Sequence, residues 1–279
     1  MNEARRTPRT MACVPAYRAA AFIEETLRAL AAQTYPNLRV LVSVDCSDDE
    51  TGEVCEGFAR HDDRFTVIHQ PVRLGWIGNV NALLARATLE AERLMISPHD
   101  DLPDPDYVAR LAEALSRRDR ASLAFSDIEI QHAGGRQVVQ RYTALDGIEC
   151  RIERGRRLLA RDRGWWTPFR GLLPVEAVRR VGGLRRNLAG EFAADWPFLL
   201  RLALRGEFVR VPQVLYRKRF RHESLSLQWN YGPGRWTAAA LACARTILTA
   251  DLPARERATL LATLARRYGA FLLERRMPA

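Results

Sequence analysis

The amino-acid sequence predicts an α/β fold: a mostly parallel sheet flanked by helices, with a C-terminal helical extension. Three observations predict it. Short β-branched runs alternate with helical patterns through the first half, the signature of βαβ units. The run Leu38–Val44 is apolar enough to be covered on both faces, as parallel strands are. From about Tyr231 onward the pattern is helical only.

The elements follow in order. The first strand is about Arg9–Val14, stopped by Pro15, and a helix follows from about Ala20 to Gln33, striped by Phe22, Ile23, Leu27 and Leu30. Tyr35-Pro36-Asn37 turns into the second strand, Leu38–Val44. An acidic loop, Asp45–Glu50, leads to a helix near Thr51–Arg60, then a third strand, Arg64–His69. A helix over about Gly78–Glu92 precedes the fourth strand, Leu94–Ser97, which runs into Pro98-His99-Asp100-Asp101. Pro103 and Pro105 open a helix through about Ser116. Ser122–Gln131 is a fifth strand, joined by a Gly134-Gly135 hairpin to a strand near Gln137–Tyr142.

The second half is less regular. Arg163–Leu173, with Trp165, Trp166 and Pro168, reads as a loop. A helix near Pro174–Val181 stops at Gly182-Gly183. Pro197 opens a helix to about Arg205, and Phe208–Val211 and Val214–Tyr216 read as two short strands. Asp251 and Pro253 suit the start of a final helix with Leu260, Leu261, Leu264, Tyr268, Phe271 and Leu272 on one face.

A chain of 279 residues can bury one sizeable core plus a small appendage. Hydrophobic content of 47% and charged content of 27% are those of a soluble globular protein. No stretch approaches the roughly 18–20 apolar residues of a membrane span. Met1–Arg9 is polar and basic rather than signal-like, which sets the cytoplasm as the expectation. Cys13, Cys46, Cys55, Cys150 and Cys243 form no C-x-x-C pair, so reduced thiols are expected rather than disulfides or structural zinc. The formal charge of +10 comes almost wholly from arginine, because Lys218 is the only lysine. The arginines form no basic block interleaved with aromatics, which argues against a nucleic-acid partner. They remain compatible with anionic lipid or phosphate-bearing substrates.

In an open parallel sheet, ligands collect at the carboxyl ends of the strands. The loop after the first strand, Pro15-Ala16-Tyr17-Arg18, has no glycine, which disfavours both the G-x-G-x-x-G dinucleotide turn and the P-loop. The loops after the second and fourth strands are acidic: Asp45-Cys46-Ser47-Asp48-Asp49 and His99-Asp100-Asp101. Neighbouring carboxylates repel unless a cation or a hydrogen-bond donor intervenes. Asp48 or Asp49 suits capping of the next helix, whereas Asp45 lies several residues too early.

These segments carry a resemblance. Val14-Pro15-Ala16-Tyr17, then Gln33-Thr34-Tyr35-Pro36-Asn37, then Val44-Asp45-Cys46-Ser47-Asp48-Asp49-Glu50-Thr51 are similar to the opening of the family 2 glycosyltransferases. The likeness continues through Gly75–Asn81, His99-Asp100-Asp101, Gly182-Gly183-Leu184 and Ala194-Asp195-Trp196, and ends at Ser226. Val44, Cys46 and Pro98-His99 depart from the family's pattern.

The resemblance implies a GT-A, Rossmann-like fold and inverting transfer of a sugar from a nucleotide-sugar donor to an acceptor hydroxyl. A glycan, glycolipid or cell-envelope product follows by the same analogy. It implies a catalytic domain over residues 1–226, with a nucleotide half about 9–131 and an acceptor half about 132–226. Residues 227–279 are the helical extension. Pro15, Ala16, Tyr17, Asp45, Gly75, Asn79 and Asp100 would bind the nucleotide. Asp100, Asp101 and His222 would hold Mg²⁺ or Mn²⁺, hard cations that take oxygen ligands. Asn79 either faces the anionic donor from a helix start or caps that helix.

Asp195 is the expected general base, since single displacement at the anomeric carbon needs one, and Glu191 is its nearest substitute. Trp165, Trp166 and Trp196 would line the acceptor side. The acceptor is a sugar or lipid-linked glycan. The basic final helix packs on the catalytic domain, contacts a second copy, or lies peripherally on the inner face of the membrane. A sugar-phosphate nucleotidylyltransferase and a non-catalytic nucleotide-sugar-binding module are the competing expectations.

Overall fold

The computed structural model describes residues 7–132, 134–220, 229 and 231–274. β1 (Thr10–Ala16), β2 (Leu38–Val44), β3 (Phe65–His69) and β4 (Arg93–Ile96) form a parallel group in the order β3-β2-β1-β4. Between them run α1 (Ile23–Ala31), α2 (Thr51–His61) and α3 (Gly75–Glu90). β5 (Leu102–Pro103), α4 (Tyr107–Ser116), β6 (Ala121–Gln131) and β7 (Gln137–Gln140) come next.

The sheet continues from β4 through β8 (Leu172–Pro174), β6 and β9 (Glu207–Arg219) to β5, with β7 paired to β6. β8 is antiparallel to both β4 and β6, and β5 is antiparallel to β9. The sheet is therefore mixed, parallel on the β1–β4 side and interrupted by three-residue β8 in the middle. A strand that short carries no period a sequence can display.

Residues on β1 alternate between two cores: Ala12, Val14 and Ala16 face one cluster with α1 and α4, while Met11 and Cys13 face the other with α3. The second core is the larger. It also contains α5 (Arg151–Ala160), α6 (Val175–Val181), α7 (Asp195–Ala203) and the two C-terminal helices, α8 (Pro233–Thr249) and α9 (Ala254–Glu274).

Besides β8, which falls at the end of the expected Arg163–Leu173 loop, three elements differ from the sequence expectation for identifiable reasons. α5 was not expected, because Arg154 and Gly155 share its buried face with Leu158 and Leu159 and interrupt the apolar stripe. Gly155 is there for space: a Cβ would stand 2.9 Å from Leu260 Cδ2 and 3.2 Å from Leu204 Cδ2. β9 is one strand of 13 residues, not two; the register jumps from Val211 to Val214 past Pro212, so the ladder skips the proline and resumes. α3 begins at Gly75, three residues earlier than its composition suggests. Its first N–H groups find acceptors far along the chain: Asp45 takes those of Leu74 and Gly75, and Glu191 takes that of Ile77. Gly75 also sits at φ +75°, which suits glycine.

The apolar face of α9 packs inward. Leu260 and Leu264 are buried in the larger core, with Leu261 and Tyr268 against it. Arg151 of α5 pairs with Glu256 at 2.8 Å across that contact. Among the described residues, no helix is long and apolar enough to cross a membrane.

Candidate active site

At the carboxyl ends of β1 and β4 the sheet opens into a cleft of about 350 Å³. Pro15 comes from the end of β1, and Pro98, His99 and Asp100 follow β4. Arg170, Asp195 and Lys218 complete its charged part, and aromatic side chains supply most of the remainder.

Asp195 is the first residue of α7. Burial pushes its carboxyl pKa up to about 6, while nearby Arg170, Lys218 and the first backbone N–H groups of the helix pull the other way. The group is thus ionised at neutral pH yet basic enough to accept a proton. Lys218 is buried on β9, and burial together with Arg170 lowers its pKa. Its ammonium lies 4.4 Å from the Phe220 ring centroid and 5.8 Å from that of Trp166. In the sequence this lysine showed only as the single exception among arginines.

Asp100 and Asp101 separate. Asp100 lines the cleft, but Asp101 is fully buried and turned away from it. One Asp101 oxygen accepts from Arg170 Nε at 2.7 Å, and the other from the Arg219 backbone N–H at 3.2 Å. The expectation of a cation ligand at Asp101 is therefore corrected: both of its oxygens hold the β4–β5 turn to β9 and to Arg170.

His99 lines the cleft just after β4. Its Nδ1 is 2.8 Å from the Pro15 carbonyl, which can only accept. Nδ1 therefore carries a proton and donates to that carbonyl. His222 lies outside the described residues. Among the described residues no three His, Cys, Asp or Glu side chains converge as a ready cation site.

The expected nucleotide residues largely assemble beside the cleft. The Asp45 backbone N–H donates to Ala16 at 2.9 Å, and the Arg73 guanidinium lies 3.2 Å from the Tyr17 ring centroid. Arg73 Nε also stands 3.8 Å from the Asp45 carboxylate. Asp45 itself is buried, and each of its oxygens accepts an N–H from the start of α3. Asp49, not Asp45, ties its own loop together, accepting from the Thr51 amide and hydroxyl.

Asn79 is a correction. It is buried in the second turn of α3 and donates to the Ser43 carbonyl at 2.9 Å, so it neither caps the helix nor faces the cleft. Trp196 is another. It is 2% exposed, donates to the Leu158 carbonyl at 3.2 Å, and lies beneath the cleft surface. Trp165 and Trp166 do line the cleft, joined by three residues not expected there: Trp76, Trp229 and Trp236.

Residues 11–171 match the family model for Glycosyl transferase family 2. The chain belongs to this family. Relatives include glycosyltransferase GlyG of Streptococcus pneumoniae, 27% identical over 38% of this chain and 35% of its own length. The putative glycosyltransferase EpsH of Bacillus subtilis is 31% identical over 38% of this chain and 30% of its own length. The matched segments thus span about a third of those relatives.

Among solved structures, Staphylococcus aureus TarS 1–349 in complex with UDP-GlcNAc superposes with a TM-score of 0.75 at 20% identity, covering 94% of this chain and 73% of that one. The mannosyltransferase PcManGT of Pyrobaculum calidifontis, in complex with GDP-Man and Mn²⁺, gives 0.63 at 18% identity over 96% and 76%. These likenesses establish the shared fold of this family 2 glycosyltransferase. Its membership favours the glycosyltransferase-family expectation over a sugar-phosphate nucleotidylyltransferase.

Proposed function

We propose that the protein transfers a sugar from a nucleotide-sugar donor to an acceptor hydroxyl with inversion at the anomeric carbon. The observation that carries this reading is Asp195: a carboxylate of raised pKa, opening onto the same cleft as Asp100, Arg170 and Lys218. Asp195 accepts the proton of the acceptor hydroxyl as that oxygen attacks. Arg170 and Lys218 place positive charge where the diphosphate leaving group gains negative charge. Pro15, Ala16, Tyr17 and Gly75 shape the nucleotide side, with Asp45 fixing the start of α3 behind them. Trp165 and Trp166 flank the acceptor.

Asp100, which lines the cleft, is a carboxylate suited to a divalent cation. Mg²⁺ in particular is held by one or two carboxylates together with substrate phosphates, so a sparse protein donor set fits. When bound, such a cation neutralises charge on the leaving diphosphate.

A thermal-shift panel of UDP-, GDP-, CMP- and dTDP-sugars, with and without Mn²⁺, tests the proposal, because a ligand of the folded state raises apparent stability. One donor class should raise the melting temperature, more so with Mn²⁺. Asp100→Ala should abolish the Mn²⁺ increment in melting temperature. No response to any nucleotide sugar would refute the reading.

A further inference from the structure

The cleft has two chemically different ends. Its basic side chains, Arg170 and Lys218, gather with Asp100 and Asp195 at one. The other is aromatic, lined by Trp76, Phe192, Trp229, Tyr231 and Trp236, with no charged side chain among them. Trp229 packs edge-on against Phe192 at 5.4 Å and Trp76 at 6.3 Å, and Trp236 packs edge-on against Phe192 at 4.8 Å. The three indoles are neither buried nor fully exposed, so part of each rests on the core while part meets the opening. Of six tryptophans in the chain, only Trp196 does not line this cleft.

Two further observations tie this wall to the chemistry. Arg161 lies with its guanidinium 3.9 Å from the Trp236 ring centroid and 5.0 Å from those of Trp196 and Phe271. It thereby pins α8 and α9 to α7, whose first residue is Asp195. The Asp195 charge also reaches both ends: Arg170 and Lys218 act on its carboxyl, and it acts on the Tyr231 phenol. Held, partly wetted indoles are the surface that a pyranose C–H face or an aryl ring covers, gaining apolar contact without needing a counter-charge.

We propose that Trp229 and Trp236, carried by the C-terminal extension, form a stacking platform that selects neutral, ring-bearing glycosides as acceptors over open-chain or anionic ones. This rests on the glycosyl-transfer reading and assigns the acceptor class at that same site. The extension is then part of the active site, and Trp229 is a specificity-determining residue.

The test uses the full chain, Trp229→Ala and Trp229→Phe. The probes are phenyl β-glucoside, methyl β-glucoside and glycerol 3-phosphate. Nucleoside diphosphate release is measured with the nucleotide sugar that stabilises the fold, with and without each probe, and tryptophan emission is titrated with each probe alone. The glycosides should accelerate release and shift emission saturably, and glycerol 3-phosphate should do neither. Trp229→Ala should raise the acceptor KM about tenfold, equivalent to ~1.4 kcal/mol. Trp229→Phe should return it to within about threefold.

An unchanged acceptor KM in Trp229→Ala, a preference for glycerol 3-phosphate, or donor turnover that no glycoside accelerates would overturn the proposal. If no nucleotide sugar is bound or cleaved, the glycosyl-transfer reading fails by itself. The emission titration then decides the platform alone: a saturable shift lost in Trp229→Ala supports it, and no shift overturns it.

Discussion

Replacing Asp195 by asparagine removes the proposed base and also a charge that the cleft disfavours. A pKa of about 6, against 3.8 for an unperturbed aspartate, means that ionising this carboxyl in the folded chain costs roughly 3 kcal/mol at ~1.36 kcal/mol per pH unit. The side chain still meets the cleft opening, so ~2 kcal/mol is the working figure for neutral pH. The sign follows from proton linkage. A folded state with the higher carboxyl pKa holds the proton longer, so stability falls as pH rises from about 4 to about 6 and is then level.

Asparagine carries no charge at any of these pH values, and its amide oxygen can still accept the helix N–H groups. Asp195→Asn should therefore gain ~2 kcal/mol at pH 8, about 4–8 °C in melting temperature, and nothing at pH 4. Turnover should fall by roughly 10²–10⁴, and the wild-type rate should rise with pH through about 6 before levelling. Differential scanning fluorimetry at the two pH values and a pH–rate profile read these effects. Equal melting temperatures at pH 8 with near wild-type turnover would refute both the buried charge and its role.

Two other substitutions address how the site is held. Arg170→Met leaves the buried Asp101 carboxylate without its cation and should cost about 3–5 kcal/mol in urea unfolding. A smaller loss would mean that the Arg219 backbone N–H suffices for Asp101. Leu260→Ala should cost about 2–5 kcal/mol, since Leu260 is fully buried beside Gly155; an unchanged unfolding midpoint would mean that α9 is not docked on α5.

Most of the β1–β4 half was legible in the sequence because its signals are local. β2 matches its apolar run residue for residue, and α1 follows the stripe of Ile23, Leu27 and Leu30. The misplaced elements depend on partners distant in sequence. The start of α3 is fixed by carboxylates 30 and 114 residues away. α5 buries an arginine whose guanidinium donates to the carbonyls of Ile148 and Ala203, a satisfaction no hydropathy pattern reveals.

The same distinction decides which acidic residues reach the cleft. Asp100 and Asp101 are adjacent and chemically alike, so motif spacing treats them as equivalent. The Asp101 N–H closes a turn onto the Pro98 carbonyl, and the chain then enters β5, whose Leu102 pairs with Arg217 of β9. That antiparallel register carries Asp101 alongside β9, where the Arg219 N–H and the Arg170 guanidinium capture both of its oxygens. A carboxylate so bonded can leave for a cation only by stranding a buried guanidinium, a penalty of several kcal/mol. Asp100, one residue earlier, lines the cleft. The ion pair thus also places Arg170 and brings Lys218 to the cleft by fixing β9 against β5. The half of the acidic pair that is buried away from the cleft is the half that holds Arg170 near the other.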